Sequence, residues 1–312
     1  MAMDTNHQWR KGIKLPADKK DRPVAAAMLG PRPVIDFVLP GLGVAEVGML
    51  VAPGAAGKSF WALQAAISIA TGIDLLKLDG MGGYRLQPGR VLYLSMEDSA
   101  EVVNGRLHDI ANTFPSLQRL QILQGLDENL TIITGTRGDF DLMTMESHGI
   151  DLTACANTRR LLIIDTLSMS HTGDENKTSD MAAVVGNAQR LARSTRCAVL
   201  MLHHAAKSAV LNGQMDMQQS ARGATALIDN IRCAFFMQSM TDDEAKAMGI
   251  EDRYAYARYG STKLNHGSHV APIWYQKQAG SGVLVATDLQ VKTKKTKQKT
   301  LERHGAGGDL AL

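Results

Sequence analysis

Residues 47–59 constrain the fold of this 312-residue chain more than any other stretch. The run VGMLVAP (47–53) is continuously apolar, as in a strand covered on both faces. It leads into Ala52-Pro-Gly-Ala-Ala-Gly-Lys-Ser59, and a helix is expected from Lys58, with Phe60, Trp61, Ala65, Ile67 and Ile69 supplying much of its apolar surface. A buried strand, a loop of small residues and a helix opening on Lys-Ser form the context a Walker A phosphate loop requires. Small residues let successive backbone N–H groups curl around a phosphate, and the helix N-terminus adds partial positive charge. Gly54, Ala55, Ala56, Gly57, Lys58, Ser59 and Phe60 are therefore the candidate nucleotide cradle. Lys58 would reach the β- and γ-phosphates of ATP, and the Ser59 hydroxyl would coordinate Mg²⁺. One departure stands out: Ala52 occupies the first glycine position. Alanine resists a left-handed conformation, so the permissive position is expected to shift to Gly54. The bland alternative is a Gly-rich turn that binds nothing.

The alternation continues along the chain. VLYLSME (91–97), LLIID (161–165) and AVLMLHH (198–204) read as buried strands. A helix is expected from Asp98 or Ser99 and another through 181–195. This predicts an α/β fold with a mostly parallel central sheet. AFFMQSM (234–240), RYAYARYGSTKLN (253–265) and VAPIWYQ (270–276) read as further strands, the second of them outer. Between residues 205 and 220 the pattern disappears, and loops of that length are functional or mobile. Residues 1–23 read as an extended basic arm and 290–312 as a low-complexity, disordered basic tail. The domain between them is 24–289.

Two strand ends supply acids. Asp165 closes LLIID as a Walker B aspartate would, placing a carboxylate at the sheet edge to hold Mg²⁺. An apolar run ending in Asp also arises at helix caps. Glu97 closes VLYLSME and suits a base that orients an attacking water. Asp98, three residues before Glu101, reads instead as a capping-box residue. His203 and His204 end a strand on opposite faces, so at most one looks at a nucleotide. A structural histidine is the alternative for either.

Charge and cysteine content bound the rest. The two ends carry net charges of +3 and +4, and the stretch between them −4. Solvated tails and contact with nucleic acid both fit that distribution. Three scattered cysteines make neither a disulfide framework nor a zinc site. The polar N-terminus and the absence of a bilayer-length apolar run point to a soluble, cytoplasmic protein without a membrane partner.

With these residues in view, the chain resembles the RecA/DnaB-like ATPases, and among them the RepA-type hexameric replicative helicases of IncQ-like plasmids. VAPGAAGKS, VLYLSMED, LLIIDTLS, LMLHHAAK, QQSARGATALIDNIR and STKLNHG carry the likeness, in order from about residue 34 to 289. It implies a RecA-like P-loop core, ATP bound between neighbours of a ring, and single-stranded DNA in the central channel. It also implies that His203 senses the γ-phosphate and that the 205–221 loop grips DNA. Arg232 falls where the family places an arginine finger acting in trans. Lys263 falls where related helicases touch a neighbour's phosphates, though Asn265 stands where a strengthening arginine would be. Lys207, Arg222 and His204 complete the trans or DNA-contact candidates; Arg222 also reads as a surface residue. The expected function is an ATP-dependent helicase subunit for plasmid or mobile-element replication, moving 5′→3′, with initiator and primase as separate chains. The rivals are a RecA-like DNA-binding ATPase without unwinding activity and a nucleotide-switched interaction module.

Overall fold

The structure, a computed structural model, describes residues 24–205, 225–266 and 271–289. The arm 1–23, the tail 290–312, Lys207, Arg222 and nearly all of the 205–221 loop lie outside the described residues. Two compact units divide at Ile35 and Asp36. The first contributes one described helix, α1 (Val24–Leu29).

The second unit is built on nine strands among the described residues: β3 (Val47–Ala52), β4 (Val91–Ser95), β5 (Leu130–Thr134), β8 (Leu161–Asp165), β9 (Ala198–His204), β10 (Cys233–Ser239), β11 (Tyr256–Leu264), β12 (Ile273–Lys277) and β13 (Leu284–Thr287). Their spatial order is β13-β12-β11-β10-β3-β9-β8-β4-β5. The run from β10 to β5 is parallel, and β11 to β13 are antiparallel. Two small hairpins, β1 (Phe37–Leu39) with β2 (Leu42–Gly43) and β6 (Phe140–Asp141) with β7 (Glu146–Ser147), stand apart. The expected α/β class with a mostly parallel sheet is the architecture found.

Helices cover both faces. On one lie α2 (Lys58–Thr71), α3 (Ala100–Ala111) and α4 (Arg119–Asn129); on the other α5 (Leu152–Ala156), α6 (Thr178–Thr195) and α7 (Thr225–Asn230). A short α8 (Asp242–Met248) follows β10, opened by a Thr241–Glu244 capping box. Strand residues alternate between the two cores: Tyr93, Leu161, Ile163, Leu200 and Leu202 face α2, while Leu92, Leu94, Leu162, Ile164, Val199 and Met201 face α6. Trp61 stacks on Tyr259 at 4.5 Å, and Gln64 exchanges two 2.9 Å hydrogen bonds with the Leu284 backbone, pinning α2 to the antiparallel strands. Gly72, left-handed at φ +75°, ends α2.

Several elements differ from expectation, among them α6, β5 and β13. α6 starts at Thr178 rather than 181, because its first turn is polar and leaves no periodic trace. β5 is a half-buried edge strand of LTIIT, whose two threonines leave no continuous apolar run to stand out. β13 follows a tight turn after β12 and completes the antiparallel edge. No helix among the described residues is long and apolar enough to cross a membrane.

Candidate functional site

The phosphate loop leaves β3 at Ala52, which is extended, fully buried and hydrogen-bonded through its carbonyl to Ala205 N at 2.9 Å. An in-strand residue needs no left-handed freedom, so alanine replaces glycine there without conflict. The permissive position is not Gly54. The left-handed residues of the loop are Ala55 at φ +61° and Gly57 at φ +103°, and Gly57 is the N-cap of α2. Space around Gly57 is ordinary: a methyl group on its Cα would sit 3.4 Å from the Leu284 and Met237 side chains, so backbone conformation is what favours glycine.

A cleft of about 340 Å³ opens above this loop, lined by Gly54, Ala55, Gly57, Lys58, Ser59 and Phe60 together with Glu97, Asp98, Arg106, His204, Lys277 and Gly282. Strand parity explains the set. Tyr93, Ser95 and Glu97 alternate onto the α2 face, as do Asp165 and His204. One strand, β9, lies between β3 and β8, with Ala52 opposite His204 and Asp165 opposite Leu202. The imidazole of His204 is consequently held between cation and acid, its Nε2 3.2 Å from Lys58 Nζ and 3.4 Å from Glu97 Oε2.

Lys58 is buried, and its Nζ lies 3.8 Å from Asp165 Oδ1. Burial pushes its pKa below the ordinary lysine value, opposed by the charges of Asp165, Glu97 and Asp98. Asp165 is itself buried, and its other oxygen accepts a 2.6 Å hydrogen bond from the Tyr93 hydroxyl. Burial, then the Asp165 charge, raises the Tyr93 pKa and keeps the phenol a donor.

His203 points the other way. It is buried on the α6 face, its Nδ1 has no hydrogen-bond partner among the described residues, and it does not line the cleft. Burial, reinforced by the Lys58 charge, lowers its pKa to about 4, so it is neutral at physiological pH. The histidine that faces the cleft is His204, a correction to the expected sensor. Asp98 is corrected as well. Ser99 is the N-cap of α3, and its hydroxyl bonds Glu101 Oε2 at 2.7 Å; Asp98 instead accepts a 2.5 Å bond from Arg106 Nη1.

Arg106 and Lys277 carry no sequence signal. The Arg106 guanidinium lies 5.9 Å from the Phe60 ring centroid, and Lys277 Nζ donates to Ala55 O at 2.9 Å. Both depend on packing between distant segments.

Arg232 and Lys263 occupy the opposite edge of the sheet. Arg232 N donates to Val47 O at 3.2 Å, at the start of β3. Its exposed side chain donates from Nη1 to the Asn265 amide oxygen at 3.0 Å, with the amide turned to receive it. Lys263 Nζ bonds the Ile228 and Asp229 carbonyls at 2.8 and 2.9 Å, capping α7. Five residue steps along β3 lead from Val47 to Ala52, so Arg232 stands roughly 16 Å along the strand from its own phosphate loop.

Among the described residues no group of three or more His, Cys, Asp or Glu side chains forms a metal cage. The cleft offers the Ser59 hydroxyl, and behind its lining lies a buried carboxylate, Asp165, fixed by Tyr93 and 3.8 Å from Lys58 Nζ. That sparse, all-oxygen set fits Mg²⁺, which binds through one or two carboxylates plus substrate phosphates.

Solved structures with the same fold include the ATPase domain of G40P, at 13% identity over 78% of this chain and 85% of that chain, TM-score 0.54. A DnaB-like replicative helicase, described with its interactions with primase, aligns at 14% identity over 86% of this chain and 68% of that chain, TM-score 0.59. The fold is that of a RecA-like P-loop ATPase. The AAA domain family model matches residues 17–210, which span the phosphate loop, Glu97, Asp165 and the histidine pair, and the chain belongs to that family.

Proposed function

We propose that the protein is an ATP-dependent DNA helicase subunit of the RepA type. It would act in replication of a plasmid or mobile element as a cytoplasmic ring, hexameric and moving 5′→3′ on single-stranded DNA. The observation that carries the ATPase reading is the convergence of Lys58, His204 and Glu97 on one cleft above the phosphate loop, with the buried Asp165 carboxylate 3.8 Å from Lys58. The sequence resemblance carries the ring, the DNA and the separate initiator and primase partners.

In this reading the loop N–H groups and the Lys58 ammonium bind the β- and γ-phosphates of ATP. Mg²⁺, held by Ser59 and Asp165, would neutralise charge building on the transferred phosphoryl group. Glu97 accepts a hydrogen bond from the attacking water and aligns it. His204, within reach of both Lys58 and Glu97, takes the γ-phosphate-sensing role expected of its neighbour. Arg232 is too distant to serve its own loop and is assigned to the neighbouring subunit's ATP. An always-charged guanidinium with five donors suits that task.

Sizing in the presence of a non-hydrolysable ATP analogue, followed by unwinding of a forked duplex, tests the reading. Rings that unwind support it. DNA-stimulated turnover without strand separation favours a RecA-like ATPase instead. Stoichiometric nucleotide binding without turnover favours a nucleotide-switched module.

A further inference from the structure

The sheet edge opposite the cleft carries positive charge that few described neighbours neutralise. Arg90 precedes β4, Arg159 and Arg160 precede β8, and Arg196 stands two residues before β9. Backbone bonds set them in one row: Arg160 N donates to Arg90 O at 2.7 Å, and Ala198 N to Arg160 O at 3.0 Å. Arg193, in the last turn of α6, flanks Arg196. Arg160 is paired with Asp36, its Nη2 2.5 Å from Oδ1 and its Nη1 3.0 Å from Oδ2. That hydrogen bonding, and then the charges of Arg160 and Arg196, outweigh desolvation and hold the Asp36 carboxyl below its ordinary range. No ion pair among the described residues engages Arg90, Arg159, Arg193 or Arg196. Other acids bound the row rather than enter it. Asp127 and Glu128 lie ahead of β5, and Glu46, ahead of β3, is taken by Gly43 N and His266.

The backbone adds a second observation. Arg196 sits at the C-cap of α6 with φ +58°, a conformation that glycine or asparagine adopts more readily. Its side chain is exposed, and among the described residues no hydrogen bond or ion pair offsets this. The row contains arginine and no lysine, which suits bidentate grip on planar or tetrahedral oxyanions. It stands on a body whose net charge, over 24–289, is −4, so it is a local concentration and not a share of general basicity. Adjacent strands about 4.8 Å apart spread it over roughly 10 Å, enough for two or three phosphates.

We propose that this arginine row is a nucleic-acid contact separate from the nucleotide cleft, gripping the phosphodiester backbone of a strand that runs along the amino edge of the sheet. It goes beyond the helicase reading and requires neither turnover nor unwinding.

Binding of a fluorescent oligo-dT to the full chain, followed by anisotropy across a salt series, tests it. Two double variants are compared with the parent: Arg159→Gln with Arg196→Gly, the glycine suited to the left-handed backbone, and Arg159→Lys with Arg196→Lys. The first is expected to weaken binding roughly tenfold at low salt and to flatten the log affinity against log salt slope by about 1.4, at about 0.7 per lost contact. The lysine pair keeps the slope and loses part of the affinity. Because lysine preserves the charge, it still reads the site if the first variant fails to fold. Parental affinity and slope in both variants overturn the proposal. Unchanged oligonucleotide binding with lost binding of polyglutamate overturns it in favour of an acidic protein partner. Binding of an ATP analogue, measured in the same variants, reads the cleft separately, so failure there belongs to the ATPase reading alone.

Discussion

At the scale of single residues, the Tyr93 hydroxyl has the most specific consequence. It holds one oxygen of a buried carboxylate at 2.6 Å and leaves the other facing Lys58. Tyr93→Phe removes only that bond. It is expected to lower stability by about 1–3 kcal/mol, the loss for an unsatisfied buried acceptor. It should also raise the Mg²⁺ concentration for half-maximal ATP turnover several-fold while metal-free nucleotide affinity stays constant. A change in stability with unaltered metal dependence would assign the hydroxyl to folding alone. Glu97→Gln is expected to keep nucleotide affinity and to cut turnover by roughly 10²–10⁴, since the amide retains shape and loses basicity. Intact turnover with failed binding would make Glu97 structural. Glu97 and Asp165 are legible in the sequence because each closes a contiguous apolar strand. Tyr93 is not, because the carboxylate it serves lies 72 residues away on another strand. Lys277, 222 residues from the Ala55 carbonyl it binds, is invisible for the same reason.

At the scale of the element, alternation along β9 decides which histidine meets which environment. His204 reaches the cleft, and His203 is sealed on the other face with its pKa lowered from 6.5 to about 4 by burial. The sign follows from proton uptake. As pH falls from 6.5 toward 4, the unfolded chain protonates this histidine and the folded chain does not, so stability decreases across that window. The full effect is on the order of 3 kcal/mol, and above the ordinary histidine pKa it is constant. Urea unfolding near neutral pH and again about two pH units lower should therefore show a smaller pH loss for His203→Gln than for the parent. Equal loss in both would locate the sensitivity elsewhere. The sequence pattern establishes that the two histidines face opposite ways; which one faces the nucleotide loop needs the strand order, with β9 set between β3 and β8. The phosphate loop is legible as a motif because it is continuous in sequence. Its left-handed residue at Ala55 is not, because alanine carries no local signal for that conformation.

At the scale of the whole molecule, the sheet separates two chemistries at its two ends. The parallel order and its helices on both faces can be anticipated from alternating apolar runs, whereas β5 and β13 are short edge strands whose pairing comes from tertiary contact. Arg232, at the far end from its own phosphate loop, tests whether two copies share a site. Arg232→Ala is expected to bind ATP and to lose turnover by roughly 10³ or more, as removal of an arginine finger does. Mixed with Lys58→Ala, it should recover part of the activity, because some interfaces then contain both intact halves. No recovery at any ratio, with subunit exchange demonstrated, counts against the shared site. The hydrogen bond from Ala205 to Ala52 has a mechanical consequence. The Ala205 amide ties the end of β9 to the base of the phosphate loop, one residue beyond the imidazole between Lys58 and Glu97. A displacement of Ala205 is thereby delivered to the cleft across one peptide unit, and a shift at the cleft reaches Ala205 along the same short lever.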